Sequence, residues 1–79
     1  MKVRLDGVRR IVISSEYIKL DSLLKFASVV STGSEAKALI KSGCVYVGDK
    51  LCYERGKKIR HGDTVRFDND VMLIKKSET

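Results

Sequence analysis

The sequence predicts an α+β fold in which two short helices pack on a small antiparallel sheet of about five strands. Two amphipathic segments in the first half of the chain have helical spacing, and the second half alternates short apolar runs with turns rich in glycine and aspartate. The length of 79 residues suits one small domain, and a hydrophobic fraction of 43% is sufficient for a packed core. We therefore predict a single domain over residues 1–79.

The first predicted element is a strand at residues 11–13. The dipeptide Asp6-Gly7 is typical of a tight hairpin turn, which would pair residues 3–5 with that strand. Such a turn would set Arg4 opposite Arg9, and directly opposed like charges destabilise a strand pair. The sequence therefore predicts the strand and leaves the hairpin open.

The first predicted helix has four apolar residues at the i, i+3, i+4 and i+7 spacing of an amphipathic helix: Leu20, Leu23, Leu24 and Ala27. Asp21 stands where an N-cap or a first-turn acid stabilises a helix. The β-branched pair Val29-Val30 is expected to end this helix.

The second predicted helix begins at a capping box, in which Thr32 accepts a hydrogen bond from the amide of Glu35 and the Glu35 side chain reaches back. Its residues separate onto two faces: Ala36, Leu39 and Ile40 on one, and Ser34, Lys37 and Lys41 on the other. Gly43 falls at the position where a left-handed residue commonly closes a helix.

The remaining predicted strands form two hairpins. Residues 44–47 and 51–54 flank a turn at Gly48-Asp49, and residues 64–67 and 71–75 flank a turn at residues 68–70. Cys44 and Cys52 lie on either side of the first turn, and neither a two-residue nor a three-residue turn brings their Cβ atoms to disulfide distance. We therefore expect both cysteines to be reduced.

The composition excludes several classes of function. No apolar run approaches the length of about 20 residues that spans a bilayer, so we expect a cytoplasmic protein without a membrane segment. Two cysteines and the single histidine, His61, do not form a recognised zinc motif. A phosphate loop, a nucleophile elbow and a paired-carboxylate motif are all missing. We therefore predict a non-catalytic protein without a cofactor or metal.

The net charge of +6 is unevenly distributed. Residues 50–60 contain five lysines and arginines against Glu54 alone, which is a local charge of +4, and Lys37 and Lys41 add two further cations. If the basic helix face and the basic loop meet on one surface, they form the footprint expected of nucleic-acid binding. Charge alone leaves DNA or an acidic protein open as the partner.

Four short motifs carry a resemblance to a known family. They are Lys19-Leu20-Asp21 at the first helix, Ala36-Lys37 with Leu39-Ile40 in the second, Val45 with Val47-Gly48-Asp49 in the next strand and turn, and Gly62-Asp63-Thr64-Val65 before the last hairpin. In this order they resemble the S4-type RNA-binding domain, also called the alpha-L motif, over a core of residues 17–67. Residues 1–14 would then be an N-terminal strand extension and residues 76–79 a frayed tail.

The chain is most similar to stand-alone bacterial members of that family, on the strength of residues 16–21 and the run Arg55-Gly56-Lys57-Lys58. The resemblance implies binding of structured RNA, with ribosomal RNA favoured over tRNA, in ribosome assembly or on the assembled ribosome. The alternatives are binding of tRNA and the large subunit in quality control of stalled ribosomes, and an adaptor role toward DNA or an acidic protein. A monomer is expected.

The predicted mechanism is phosphate capture on a preformed surface, with the N-terminus of the second helix beside it. Recognition should depend on RNA shape and backbone, because A-form helices hide their base edges. Tyr46 or Tyr53 could stack on an unpaired base, although tyrosines at strand spacing more commonly serve in packing. The residues expected to contact RNA are Lys19, Thr32, Ser34, Lys37, Lys41, Lys50, Arg55, Lys57, Lys58 and Arg60.

Overall fold

The structure is a computed structural model that describes residues 8–77. Within this range the elements follow the order β1 (Val8–Ile13), β2 (Ile18–Lys19), α1 (Leu20–Phe26), α2 (Gly33–Lys41), β3 (Val45–Val47), β4 (Lys50–Leu51), β5 (Lys58–Ile59), β6 (Thr64–Phe67) and β7 (Asp70–Lys76). The predicted α+β class is confirmed. Neither α1 nor α2, the helices of residues 8–77, has the length and apolarity needed to cross a membrane.

The main sheet has five strands in the order β1-β7-β6-β3-β4. Its hairpins β3–β4 and β6–β7 have the predicted connectivity, but β4 covers only Lys50–Leu51, where a strand over residues 51–54 was expected. Strand β1 pairs in parallel with β7, with Val8 opposite Val71 and Ile13 opposite Lys76. The sheet is therefore mixed, and the expectation of a purely antiparallel sheet was wrong. Parallel neighbours need a long crossover connection, and here all elements from β2 to β6 lie between the two strands.

A second sheet consists of β2 and β5 alone, paired antiparallel. The sequence did not predict it, because strands of two residues are too short to show an alternating pattern. This small sheet brings residues 18–19 against residues 58–59, at the end of the basic loop.

The terminal strands extend further than expected. The strand predicted at residues 11–13 starts at Val8, while the Asp6-Gly7 turn and its other strand lie outside the described residues. At the other end, Lys76 still belongs to β7, and its amide donates to His61 Nδ1 at 3.0 Å. The expectation that fraying starts at residue 76 was therefore wrong; residues 78–79 lie outside the described range.

The N-terminus of α1 is capped by backbone rather than by a side chain. Lys19 is the N-cap residue, and its side chain makes no capping hydrogen bond. Instead the amides of Leu20 and Asp21 donate to the carbonyls of Lys57 at 2.9 Å and Arg55 at 3.1 Å. Asp21 is thus a first-turn acid and not the N-cap, and the basic loop satisfies two of the amides that a helix start leaves open.

The C-terminus of α1 is a Schellman motif that includes Val29, the first residue of the β-branched pair. The amide of Ser28 donates to Lys25 at 3.0 Å and that of Val29 to Leu24 at 2.9 Å. Ser28 has a φ of 62°, in the left-handed region that glycine occupies more easily. The helix ends at Phe26, so Val29 contributes to its cap and does not itself terminate it.

The predicted capping box of α2 is confirmed. Thr32 Oγ1 accepts from the amide of Glu35 at 3.1 Å, and Glu35 Oε1 accepts from the amides of Ser31 at 2.7 Å and Thr32 at 3.2 Å. Gly43 follows the helix with a φ of 83°, as expected for a left-handed closing residue.

The core lies between the helices and one face of the main sheet. Its fully buried members come from both helices, both sheets and all of the longer strands except β1: Leu20, Leu23, Leu24, Ala36, Ile40, Val45, Ile59, Val65, Met72 and Ile74. The intervening strand residues, such as Arg10 on β1 and Lys75 on β7, belong to the opposite face of the sheet. Cys44 and Cys52 are half-buried free thiols.

Candidate nucleic-acid interface

All ten residues that the sequence predicts to contact RNA have exposed side chains. They belong to three parts of the structure. Five lie around the small β2–β5 sheet, and we call them the loop cluster: Lys19, Arg55, Lys57, Lys58 and Arg60. Four lie on α2 or its cap, and we call them the helix face: Thr32, Ser34, Lys37 and Lys41. Lys50 lies on β4.

The loop cluster is assembled by pairing between distant segments. Lys19 on β2 is directly opposite Lys58 on β5. The carbonyls of Lys57 and Arg55 accept hydrogen bonds from the start of α1, which holds the intervening loop against the same helix. Directly opposed like charges destabilise a strand pair, so this arrangement is unfavourable unless an anion is bound.

Tyr17 is a member of this site that the sequence analysis missed. The Nζ of Lys58 lies 4.8 Å from the centroid of the Tyr17 ring, and the guanidinium carbon of Arg60 lies 5.6 Å from it. Both distances are in the range of cation–π interactions, so the ring orients two cations of the loop cluster. The signal available in the sequence was the two-residue spacing from Tyr17 to Lys19, which puts both on one face of an extended segment.

Arg55 is the one member of the loop cluster with an ion pair among residues 8–77. Its Nη1 lies 3.7 Å from the Asp21 carboxylate, whose side chain is mostly buried. The same two residues are joined by the amide-to-carbonyl hydrogen bond at the start of α1. Arg55 therefore helps to fix the loop, whereas the lysines of the cluster keep their charges without a carboxylate partner in the described part of the chain.

Glu16 lies at the edge of the loop cluster and is paired elsewhere. A hydrogen bond from Lys76, with the charge of that lysine, lowers the pKa of the Glu16 carboxyl below its ordinary value, and Arg60 adds a smaller effect. Glu16 is therefore ionised at neutral pH. Because its carboxylate is engaged by Lys76, it neutralises the cluster only in part.

Lys50 and Lys57 line a concavity of about 500 Å³ between the β3–β4 hairpin and the basic loop. We call it the Tyr53 concavity, after the exposed aromatic residue in its wall; its other lining residues are Val47, Leu51, Cys52 and Glu54. Since Lys57 also belongs to the loop cluster, this concavity connects Lys50 to that cluster.

The helix face carries two lysines one turn apart on α2. Neither Lys37 nor Lys41 forms an ion pair with any residue of the range 8–77. Ala36 and Ile40 are buried, so the two lysines belong to the solvent side of the helix.

The N-terminus of α2 is less open to an anion than the sequence suggested. The hydroxyl oxygen of Thr32 and the carboxylate of Glu35 already accept hydrogen bonds there, and the carboxylate adds a negative charge. The hydrogen bonds of this capping box do not involve the amides of Gly33 and Ser34.

The C-terminal end of α2 lies against the Tyr53 concavity, which Lys57 of the loop cluster also lines. A Cβ placed on Gly43 would lie 3.2 Å from the hydroxyl oxygen of Tyr53, so this end of the helix contacts the wall of the Tyr53 concavity. Within residues 8–77, however, no hydrogen bond or ion pair joins Lys37 or Lys41 to the loop cluster. The meeting of both groups on one concave surface therefore stays a prediction.

The site offers cations and hydrogen-bond donors rather than metal ligands. Within the described range, no group of three or more histidine, cysteine, aspartate or glutamate residues is arranged to hold a metal ion. Exposed lysines and arginines of this kind neutralise phosphates and position a polyanion by its backbone.

Comparison with known proteins identifies a family to which the chain is similar. A family model for the S4 domain matches residues 11–75, which is most of the chain and extends from β1 to β7. No curated protein matches the chain.

Proposed function

The chain belongs to the S4 domain family of RNA-binding domains, and we propose that it binds structured RNA, ribosomal RNA above all, through the loop cluster and the helix face. Residues 1–79 act as one non-catalytic, monomeric domain in the cytoplasm. Its task is in ribosome assembly or on the assembled ribosome.

The observation that carries the proposal is the directly opposed pair Lys19 and Lys58. A surface without an anionic ligand would gain stability from an acid at either position, because opposite charges across a strand pair attract. The presence of two lysines there, beside Arg60 and Lys57, favours a partner that supplies the negative charge. The phosphate backbone of RNA is such a partner.

Two features support recognition of folded RNA rather than of a base sequence. The cations are long, exposed side chains on short strands and a loop, suited to phosphates at several spacings. Lys37 and Lys41 are likewise exposed on the solvent side of α2, where they can contact a phosphate backbone. Shape and backbone contacts are the usual basis for recognising A-form RNA.

The helix face can be tested with a charge-reversal pair and a matched control. Lys37→Glu with Lys41→Glu should abolish RNA binding and leave the circular dichroism spectrum unchanged. The control is Arg10→Glu with Lys75→Glu, which changes the net charge equally on the opposite face of the main sheet. Wild-type affinity in the α2 variant, or an equal loss in the control, would remove the helix face from the proposed surface.

The identity of the RNA can be tested by binding at matched salt to ribosomal RNA, tRNA and duplex DNA. Preference for ribosomal RNA is the expected result, and RNA crosslinked to the protein in cells should map to one ribosomal subunit. Preference for tRNA would favour the quality-control role instead. Equal binding to duplex DNA would indicate a general polyanion adaptor.

A further inference from the structure

The three tyrosines of the chain, all within residues 8–77, differ in what covers their rings. Lys58 and Arg60 lie over Tyr17, and Arg66 lies over Tyr46 with its guanidinium carbon 4.4 Å from the ring centroid. Among the described residues, no cation lies over Tyr53 in this way, and Tyr53 is 61% exposed. It is therefore the tyrosine whose aromatic face is available to another molecule.

The Tyr53 ring is supported from one edge. A Cβ on Gly43 would lie 3.2 Å from its hydroxyl oxygen and 3.4 Å from its Cε1, so the ring edge rests on the backbone that follows α2. Gly43 has a φ of 83°, and the absence of a side chain there makes this approach possible. An aromatic side chain held in this way loses little conformational entropy when a ligand stacks on it.

The surroundings of Tyr53 suit a ligand that is flat and apolar on one part and anionic on another. Val47 and Leu51 contribute apolar surface to the concavity of about 500 Å³, and Lys50 and Lys57 contribute cations. Neither lysine forms an ion pair with another described residue. A nucleotide has this combination of a planar base and a phosphate.

We infer that the Tyr53 concavity binds one unpaired nucleotide of the RNA, with the base stacked on the Tyr53 ring and the adjacent phosphates held by Lys50 and Lys57. The inference rests on the proposed function and adds to it a preference for RNA that has unpaired bases. A base inside a continuous helix is covered on both faces by its neighbours, whereas a base in a loop or bulge can stack on an aromatic side chain. The domain should therefore prefer stems that carry a single-stranded loop.

The test compares an RNA hairpin with the same stem prepared as a loop-free duplex. Tyr53→Leu should weaken hairpin binding by about 5- to 150-fold, the range for loss of one stacked base, and leave duplex binding unchanged. Tyr53→Phe keeps the ring and should bind like the wild type. Tyr46→Leu is the matched control, because Arg66 already covers that ring on the other face of the sheet. Circular dichroism checks that each variant is folded.

A direct measurement of stacking uses 2-aminopurine in the loop of the hairpin. Its fluorescence should be quenched on binding to the wild type and to Tyr53→Phe, and much less on binding to Tyr53→Leu. Equal weakening of hairpin and duplex by Tyr53→Leu, or unaltered hairpin affinity and quenching, would overturn the inference and leave the proposed function intact. Failure of the wild type to bind either RNA would overturn both.

Discussion

Replacing Lys19 by glutamate should stabilise the protein while it weakens RNA binding. Lys19 is opposite Lys58 and is also the N-cap residue of α1, so its positive charge is unfavourable in both respects. Glutamate at this position would attract Lys58, which contributes about 0.2–1 kcal/mol, and would interact favourably with the helix dipole, which contributes about 0.3–1 kcal/mol. The expected gain in the free energy of unfolding is therefore about 0.5–2 kcal/mol.

The gain in stability can be measured by urea denaturation followed by circular dichroism. For a domain of this size each kcal/mol should raise the melting temperature by about 4–8 °C. The gain should shrink in high salt, because both contributions come from exposed charges. The matched control is Lys25→Glu, which changes the net charge equally but puts an acid in the last turn of α1. That variant should lose about 0.3–1 kcal/mol.

RNA binding should change in the opposite direction. If the wild type neutralises about five phosphates, the slope of log affinity against log salt approaches about −4, so doubling the salt weakens binding roughly 15- to 20-fold. Loss of the Lys19 contact should make that slope less negative by about 0.7–0.9, whereas Lys25→Glu should leave the slope unchanged. A Lys19→Glu protein that is no more stable than the wild type at low salt would refute the reasoning about the opposed lysines. An unaltered slope would exclude Lys19 from the RNA contacts.

Three further substitutions test the folded protein by itself, without RNA. Thr32→Ala removes one half of the capping box and should lower the free energy of unfolding by about 1 kcal/mol in urea denaturation, whereas Thr32→Ser should lie near the wild type. Ser28→Gly should raise the free energy of unfolding by about 0.5–1 kcal/mol, because glycine adopts the left-handed backbone at the end of α1 without strain. An unchanged free energy of unfolding would contradict backbone strain at Ser28. Lys76→Met should raise the pKa of Glu16 toward its ordinary value in a carboxyl NMR titration.

The contribution of the Glu16–Lys76 ion pair to stability should decrease as the pH falls. The folded state lowers the pKa of Glu16, so its ion pair with Lys76 stabilises the protein above the ordinary carboxyl pKa. This contribution is lost as the pH falls through the lowered pKa. The Lys76→Met protein should therefore show a weaker decline of stability in acid, and an identical decline would mean that the pair adds nothing to folding.

Features that depend on neighbouring residues could be predicted from the amino-acid pattern alone. The apolar spacing of Leu20, Leu23 and Leu24 predicts the buried face of α1, and all three are fully buried. The capping box at Thr32 was predicted correctly because its hydrogen bonds span three residues. Within such a distance the chain has few conformations to choose from, so residue type alone indicates the structure.

Contacts between charged and aromatic residues that are distant in the chain depend on the fold. Lys19 and Lys58 are brought together by two strands of two residues each, and neither strand has a pattern of its own. The same pairing brings Lys58 over Tyr17. The parallel pairing of β1 with β7 likewise depends on the elements that lie between them in the chain. A paired strand is stabilised mainly by contacts with its neighbouring strand, which the fold brings into place. The sequence of one strand therefore does not indicate which strand it pairs with.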